Sequence, residues 1–182
     1  YYVSPTGETE LAAVVSLCKR EGMPYYILGN GSNLLVSDSG YPGVMISMTR
    51  GFSQITEKDG KITAGSGALL SRIAKTALLH SLAGFEFAAG IPGTLGGAVV
   101  MNAGAYGGEM KQVLQSARVL TKEGEIQELA AEELELGYRK SGIQKNGYIV
   151  LSAVLSLEQG EPSEIKAKMD DFAARRREKQ PL

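Results

Sequence analysis

One cysteine, one histidine and no tryptophan occur in these 182 residues. Cys18 by itself can form no internal disulfide, which fits a reducing compartment. His80 by itself excludes a multi-histidine metal site and an acid/base pair of histidines, so no metal is expected. Charge of one sign is missing too. Nineteen basic residues against twenty acidic ones give a net charge of −1, which offers no field to recruit nucleic acid or an anionic membrane. No apolar run approaches a membrane span, and the opening YYVSPTGETE is no signal peptide. A cytoplasmic protein is expected, with no nucleic-acid, membrane or obligate protein partner. Hydrophobic residues at 43% and charged residues at 21% are ordinary for a globular chain, and the length suits one domain or two small ones sharing a core.

Periodicity sets out the elements. TGETELAAVVSLCKREG reads as an amphipathic helix capped by Thr9, with Leu11, Val14, Val15 and Cys18 as its apolar stripe and Gly22 and Pro24 as its stop. YYILG reads as a buried strand that turns at GNGSN into LLVSD, and VMISM as another strand after the Pro42-Gly43 turn. FSQITEKDGKITAGSG is a hairpin about Asp59-Gly60, and ARVLTKEGEIQEL a second about Glu123-Gly124. ALLSRIAKTALLHSL is helical, AAEELEL a short acidic helix or turn, and YIVLSAVLSL a strand. SEIKAKMDDFAARRREK is a final amphipathic helix on Ile165, Met169 and Phe172. Hairpins interleaved with helices, without a regular βαβ rhythm, predict an α+β fold. A boundary is expected near residues 48–52.

Glycine is what the chain has in quantity, 23 in all, and seven of them fall within residues 86–108, EFAAGIPGTLGGAVVMNAGAYGG. Glycine loses the most conformational entropy on folding, so such a concentration implies close backbone approach or positive φ. GNGSNLLVSD, residues 29–38, follows a strand as phosphate-binding loops do, and Asn30, Ser32 and Asn33 add short donors. A type I′ or II′ turn explains the same residues equally well. Leu34 stands where a dinucleotide fingerprint has its third glycine, and no Gly-Lys-Ser/Thr exists, so a Rossmann-held dinucleotide and a Walker loop are both excluded. In the second glycine segment Pro92 precedes a helix start at Gly93 and Thr94. Packing of small residues explains Gly96 and Gly97, but leaves Asn102, Gly104, Tyr106 and the second Gly-Gly unexplained. A large flat ligand against bare backbone accounts for both glycine clusters.

LGNGSNLLVSD, GFEFAAGIPGTLGGAVVMNAGAYGGE, GYRKS and RRREKQPL, in this order and at these spacings, resemble the UDP-N-acetylenolpyruvoylglucosamine reductase family over essentially the whole chain. Its members are the FAD- and NADPH-dependent enzymes of bacterial peptidoglycan precursor synthesis. The resemblance implies a vanillyl-alcohol-oxidase-type (PCMH) FAD-binding fold, with FAD held noncovalently between two α+β subdomains, residues 1–50 and 51–182. It implies that Gly29, Asn30, Gly31, Ser32, Asn33 and Leu34 take the pyrophosphate. Gly90, Pro92, Thr94, Gly96, Gly97 and Gly104 would lie along the ribityl and isoalloxazine portion, with Ile149 a further cofactor contact. Tyr106, Tyr138 and Arg139 would meet a sugar-nucleotide substrate. Arg139 matches the family's catalytic arginine, which suits stabilisation of an enolate because it stays charged and holds a carboxylate through two donors. From local sequence alone it would read as a surface arginine after an acidic segment.

The family's serine proton donor and its glutamate would lie past Leu182, as would the C-terminal substrate-binding domain. Its first residues would precede Tyr1, so these 182 residues alone are not expected to complete a turnover. Ser141, in a turn beside Arg139, does not match the donor motif. Nothing around His80 resembles a flavinylation loop, Cys18 reads as core, and Arg175, Arg176 and Arg177 read as the solvated, dipole-complementing end of a helix. The alternatives are another FAD-dependent oxidoreductase of the same fold and a noncatalytic flavin-binding module.

Overall fold

The computed structural model describes residues 1–179, so the QPL that closes the last motif lies outside the described residues. Strands β1 (Tyr2–Val3), β2 (Tyr25–Leu28) and β3 (Val44–Ser47) form a parallel sheet in the order β1-β3-β2. Helix α1 (Glu8–Arg20) buries Leu11, Val15 and Cys18. Thr9 does not cap it. Gly7 occupies the cap position, while the Thr6 amide and hydroxyl both donate to the Glu10 carboxylate at 2.8 Å. That carboxylate satisfies the entry to the helix from within, so the first turn begins before Thr9. Strand β2 is half-buried rather than buried because it lies at the sheet edge. LLVSD forms no strand, and Leu35 is almost wholly exposed.

The second sheet is antiparallel, in the order β10-β9-β11-β5-β4. Hairpin β4 (Ile55–Lys58) to β5 (Lys61–Gly65) turns at Asp59 and Gly60, both at positive φ, as a type I′ turn requires. Hairpin β9 (Leu114–Leu120) to β10 (Ile126–Ala130) closes with Thr121 N–H donating to Glu125 O at 2.8 Å. The acidic segment after it is a single 3-10 turn, Ala131–Leu134. Strand β11 (Ile149–Ser156) runs through the middle. A register shift between Val150 and Ser152 reverses its alternation, so Ile149 and Leu151 face one core while Val150, Ala153 and Leu155 face the other. The first of these cores joins the two sheets: α1 and β3 pack there against Leu120, Ile149 and Leu151.

The second core lies under helix α2 (Leu70–Leu79), which buries Leu70, Ile73, Ala74 and Ala77. Short strands β6 (Leu82–Ala83), β7 (Gly104–Ala105), β8 (Gly108–Glu109) and β12 (Glu158–Gln159) pair as β12-β6 and β7-β8. Helices α3 (Leu95–Val100) and α4 (Gly142–Asn146) lie between them in sequence. The last helix, α5 (Pro162–Lys179), buries Ile165 and packs Met169 and Phe172 on the core edge. Among the described residues no helix is long and apolar enough to cross a membrane.

Candidate functional site

The two glycine segments meet. Ser32 Oγ donates to Pro92 O, and a side chain on Gly29 would collide with the Thr94 hydroxyl. Residues 30–36 belong to no helix or strand, and the one backbone bond within residues 29–34 runs from Leu34 N–H to Gly31 O. Their remaining amides are thus outside any ladder, the condition for a loop that holds an anion. The Ser32 hydroxyl, expected to face a phosphate, is already committed as a donor between the loops.

Helix α3 separates the roles of its two glycines. Leu95 N–H donates to Ala68 O at 2.9 Å and Gly96 N–H to Ser66 O at 2.8 Å. A Cβ on Gly96 would lie 2.8 Å from Ser66 Cβ, so Gly96 is required by protein packing. Gly104 is likewise required by the β7–β8 hairpin, where its Cβ would sit 2.6 Å from Gly108 O. Gly97 is different. It is exposed between buried neighbours, and its Cβ would meet nothing nearer than the Thr94 hydroxyl at 4.0 Å. A helix carries an exposed glycine at a loss of stability. Gly97 therefore leaves bare backbone at the seam of the two loops, a cradle fit for a planar group, without any protein contact requiring it.

A cavity of about 400 Å³ opens nearby, lined by Ile91, Ala103, Ala105, Gly104, Tyr106, Arg139, Arg176 and Lys179. The structure thus brings Gly104, Tyr106 and Arg139 together. Arg176 and Lys179 were missed. Arg175 pairs with Asp171 at 2.7 Å and Arg177 is exposed, but Arg176 is half-buried against Gly90 and faces the cavity. The signal was the spacing: residues 176 and 179 share one helix face, which an end-of-helix reading ignores. Tyr106 stacks on Phe172 with ring centroids 4.6 Å apart and planes 8° from parallel, so α5 fixes that wall.

Tyr138 is 88% exposed and outside the cavity lining, its ring 5.7 Å from the Arg139 guanidinium carbon. Ile149, expected as a cofactor contact, is a core side chain at the joint between the sheets. His80 is a half-exposed partner of Glu57 at 3.1 Å, and Cys18 is buried. Among the described residues no cluster of His, Cys, Asp and Glu could hold a metal ion.

Asn102, Tyr106 and Arg139 take positive φ (40°, 54° and 55°) without being glycine. Such backbone persists only where surrounding contacts over-determine it, and it clusters at functional sites. Near Asn102 the Glu109 carboxyl is held below the usual carboxylate range, chiefly by the hydrogen bond from Lys111 at 2.7 Å, against a partial desolvation.

Two α+β layers joined at one core, with glycine loops meeting at their seam and a cationic cavity beside it, define a nucleotide-cofactor fold outside the Rossmann class. Residues 1–130 match the family described as FAD binding domain, and the chain belongs to that family. Its fold is the vanillyl-alcohol-oxidase-type FAD-binding fold. A cholesterol oxidase from Brevibacterium sterolicum, 13% identical, overlays 86% of the chain and 34% of its own length with a TM-score of 0.68, a likeness of fold alone. The chain is 54% identical over 99% of its length to UDP-N-acetylenolpyruvoylglucosamine reductase of Clostridioides difficile, and 48% identical to that of Oceanobacillus iheyensis. It spans 59% of the length of either relative. The crystal structure of UDP-N-acetylenolpyruvylglucosamine reductase from Thermus caldophilus, 35% identical, superposes on 99% of the chain and 64% of its own with a TM-score of 0.84.

Proposed function

We propose that the chain is the FAD-holding part of a UDP-N-acetylenolpyruvoylglucosamine reductase. That enzyme would use NADPH to convert an enolpyruvyl ether into the lactyl ether UDP-N-acetylmuramate for the cell wall. We place it in the cytoplasm, where its product would serve growth and division. FAD, when bound, supplies the hydride. Gly29, Asn30, Gly31, Ser32, Asn33 and Leu34 would hold its diphosphate, and bare backbone at Gly97 would lie against it, with Gly90, Pro92, Thr94 and the Ile149 backbone completing the seam. Residues 1–50 and 51–182 would be the two subdomains, a division supported by the separate sheets on either side of residues 48–54.

The observation that carries the activity is Arg139 at the cavity with Arg176 and Lys179. Hydride addition to the vinyl carbon remote from the ether oxygen leaves an enolate conjugated to the substrate carboxylate. A guanidinium offers two parallel donors and opposes the developing charge without reorganising. Arg176 and Lys179 add positive charge for the diphosphate of the sugar nucleotide, and Tyr106 offers its ring and hydroxyl. A proton must then reach the adjacent carbon.

Purified protein is expected to show a flavin absorption band, and denaturation should release all of that flavin into the supernatant. Flavin that stays with the precipitated polypeptide would overturn noncovalent binding, and protein that cannot be loaded with FAD would overturn the reading.

A further inference from the structure

The turn that presents Arg139 is strained and is tied at both ends to the close of α3. Gly137 and Lys140 exchange backbone hydrogen bonds at 3.0 and 3.2 Å, leaving Tyr138 and Arg139 as the two central residues. Arg139 has φ +55°, a position that a type II turn normally gives to glycine or asparagine. Something outside the turn must hold it. Asn102, buried to 3% exposure, donates from Nδ2 to Gly137 O at 3.3 Å and to Glu109 Oε2 at 2.8 Å, and accepts Lys111 N–H on Oδ1 at 2.9 Å. Both of its amide donors and its carbonyl oxygen are engaged. At the far end Ser141 Oγ donates to Val100 O at 2.7 Å.

Asn102 also holds its own backbone at φ +40°, which asparagine and aspartate tolerate better than most residues. Three segments thereby share one side chain: strand β8 with Glu109, the 3-10 turn Met110–Gln112 at Lys111, and the Arg139 turn. We propose that Asn102 is a positioning residue that fixes the Arg139 turn, and through it the guanidinium, at the cavity. Its part in the reaction rests on the reductase reading above; its hold on the turn does not.

Two variants separate the donor from the backbone requirement. Asn102→Asp keeps the tolerance of positive φ and the acceptor for Lys111 but loses both donors. Asn102→Gly keeps the backbone tolerance and adds no charge beside Glu109. The first readout needs no activity. Arg139 and Lys140 are exposed tryptic sites in a tight turn. Limited trypsin digestion of the FAD-loaded chain should cut after them at least about fivefold faster in both variants, while cuts in α5 keep their rate. Unchanged cleavage at that turn overturns the proposal.

The second readout is stopped-flow spectroscopy in a reductase of the relatives' full length that carries this chain. Reduction of bound flavin by NADPH should stay within about twofold, while reoxidation by the enolpyruvyl substrate slows about ten- to a hundredfold, the scale of a small misplacement at a reacting centre. In an Arg139→Ala background either Asn102 substitution should add nothing, because both act through one group. Normal reoxidation in both single variants, or additive slowing in the double variants, overturns the positioning role. Faster tryptic cleavage together with a parent enzyme that ignores the enolpyruvyl substrate would sink the reductase reading and leave the hold on the turn standing.

Discussion

Replacing Gly96 and Gly97 separately by alanine should move stability in opposite directions, although the two residues are adjacent on α3. At Gly97 the new methyl finds only the Thr94 hydroxyl at 4.0 Å, an ordinary contact. Alanine is better than glycine in a helix by about 0.8–1.0 kcal/mol, and a helix of six residues should return roughly half to all of that. The ligand-free protein should gain about 0.5–1 kcal/mol, or roughly 1–4 °C in Tm for a chain of this size. At Gly96 the methyl would stand 2.8 Å from Ser66 Cβ and 3.1 Å from Ser66 O, so backbone must shift. Overpacking of that kind costs about 1–3 kcal/mol, which leaves a net loss of roughly 1 kcal/mol after the propensity gain. FAD titration by flavin fluorescence reverses the ranking. If the cofactor lies on the bare backbone of Gly97, the methyl that stabilises the free protein intrudes on the ligand. A cost of about 1–3 kcal/mol there weakens binding roughly five- to 150-fold. Gly97→Ala with raised Tm and undiminished FAD affinity would refute the cradle argument. A fall in Tm would refute the open space on which it rests.

In a reductase of full length, Arg139→Ala should leave FAD bound and reducible by NADPH while substrate reoxidation loses about 3 kcal/mol of transition-state stabilisation, the scale of a deleted oxyanion donor; normal reoxidation would make the arginine structural. Glu109 supplies a pH test. Its folded pKa is lowered, so the stability it contributes is fully present above the ordinary carboxylate range and is lost as pH falls through the folded value. The Tm difference between the parent protein and Glu109→Gln, which keeps an acceptor for Asn102, should therefore shrink on acidification through and below that range; a difference independent of pH would show that the carboxylate charge is irrelevant to the brace.

What residue order determined by itself was local. Alternating and helical periodicities, with Asp59-Gly60 and Glu123-Gly124 as turns, set both hairpins, α1, α2, β11 and α5, because those patterns depend on neighbours a few positions away. Four glycine- and arginine-bearing motifs pointed to the flavin family. Tertiary structure decided what each motif residue is for. Gly96 and Gly97 are indistinguishable in sequence, yet only one meets Ser66, because that contact is made across some thirty residues by the loop after β5. Likewise Arg175, Arg176 and Arg177 form one uniform run, and only packing of α5 against Tyr106 through Phe172 turns the middle one to the cavity. The hold of Asn102 on the Arg139 turn was equally hidden, since a buried amide finds its partners through space and leaves no periodic trace along the chain.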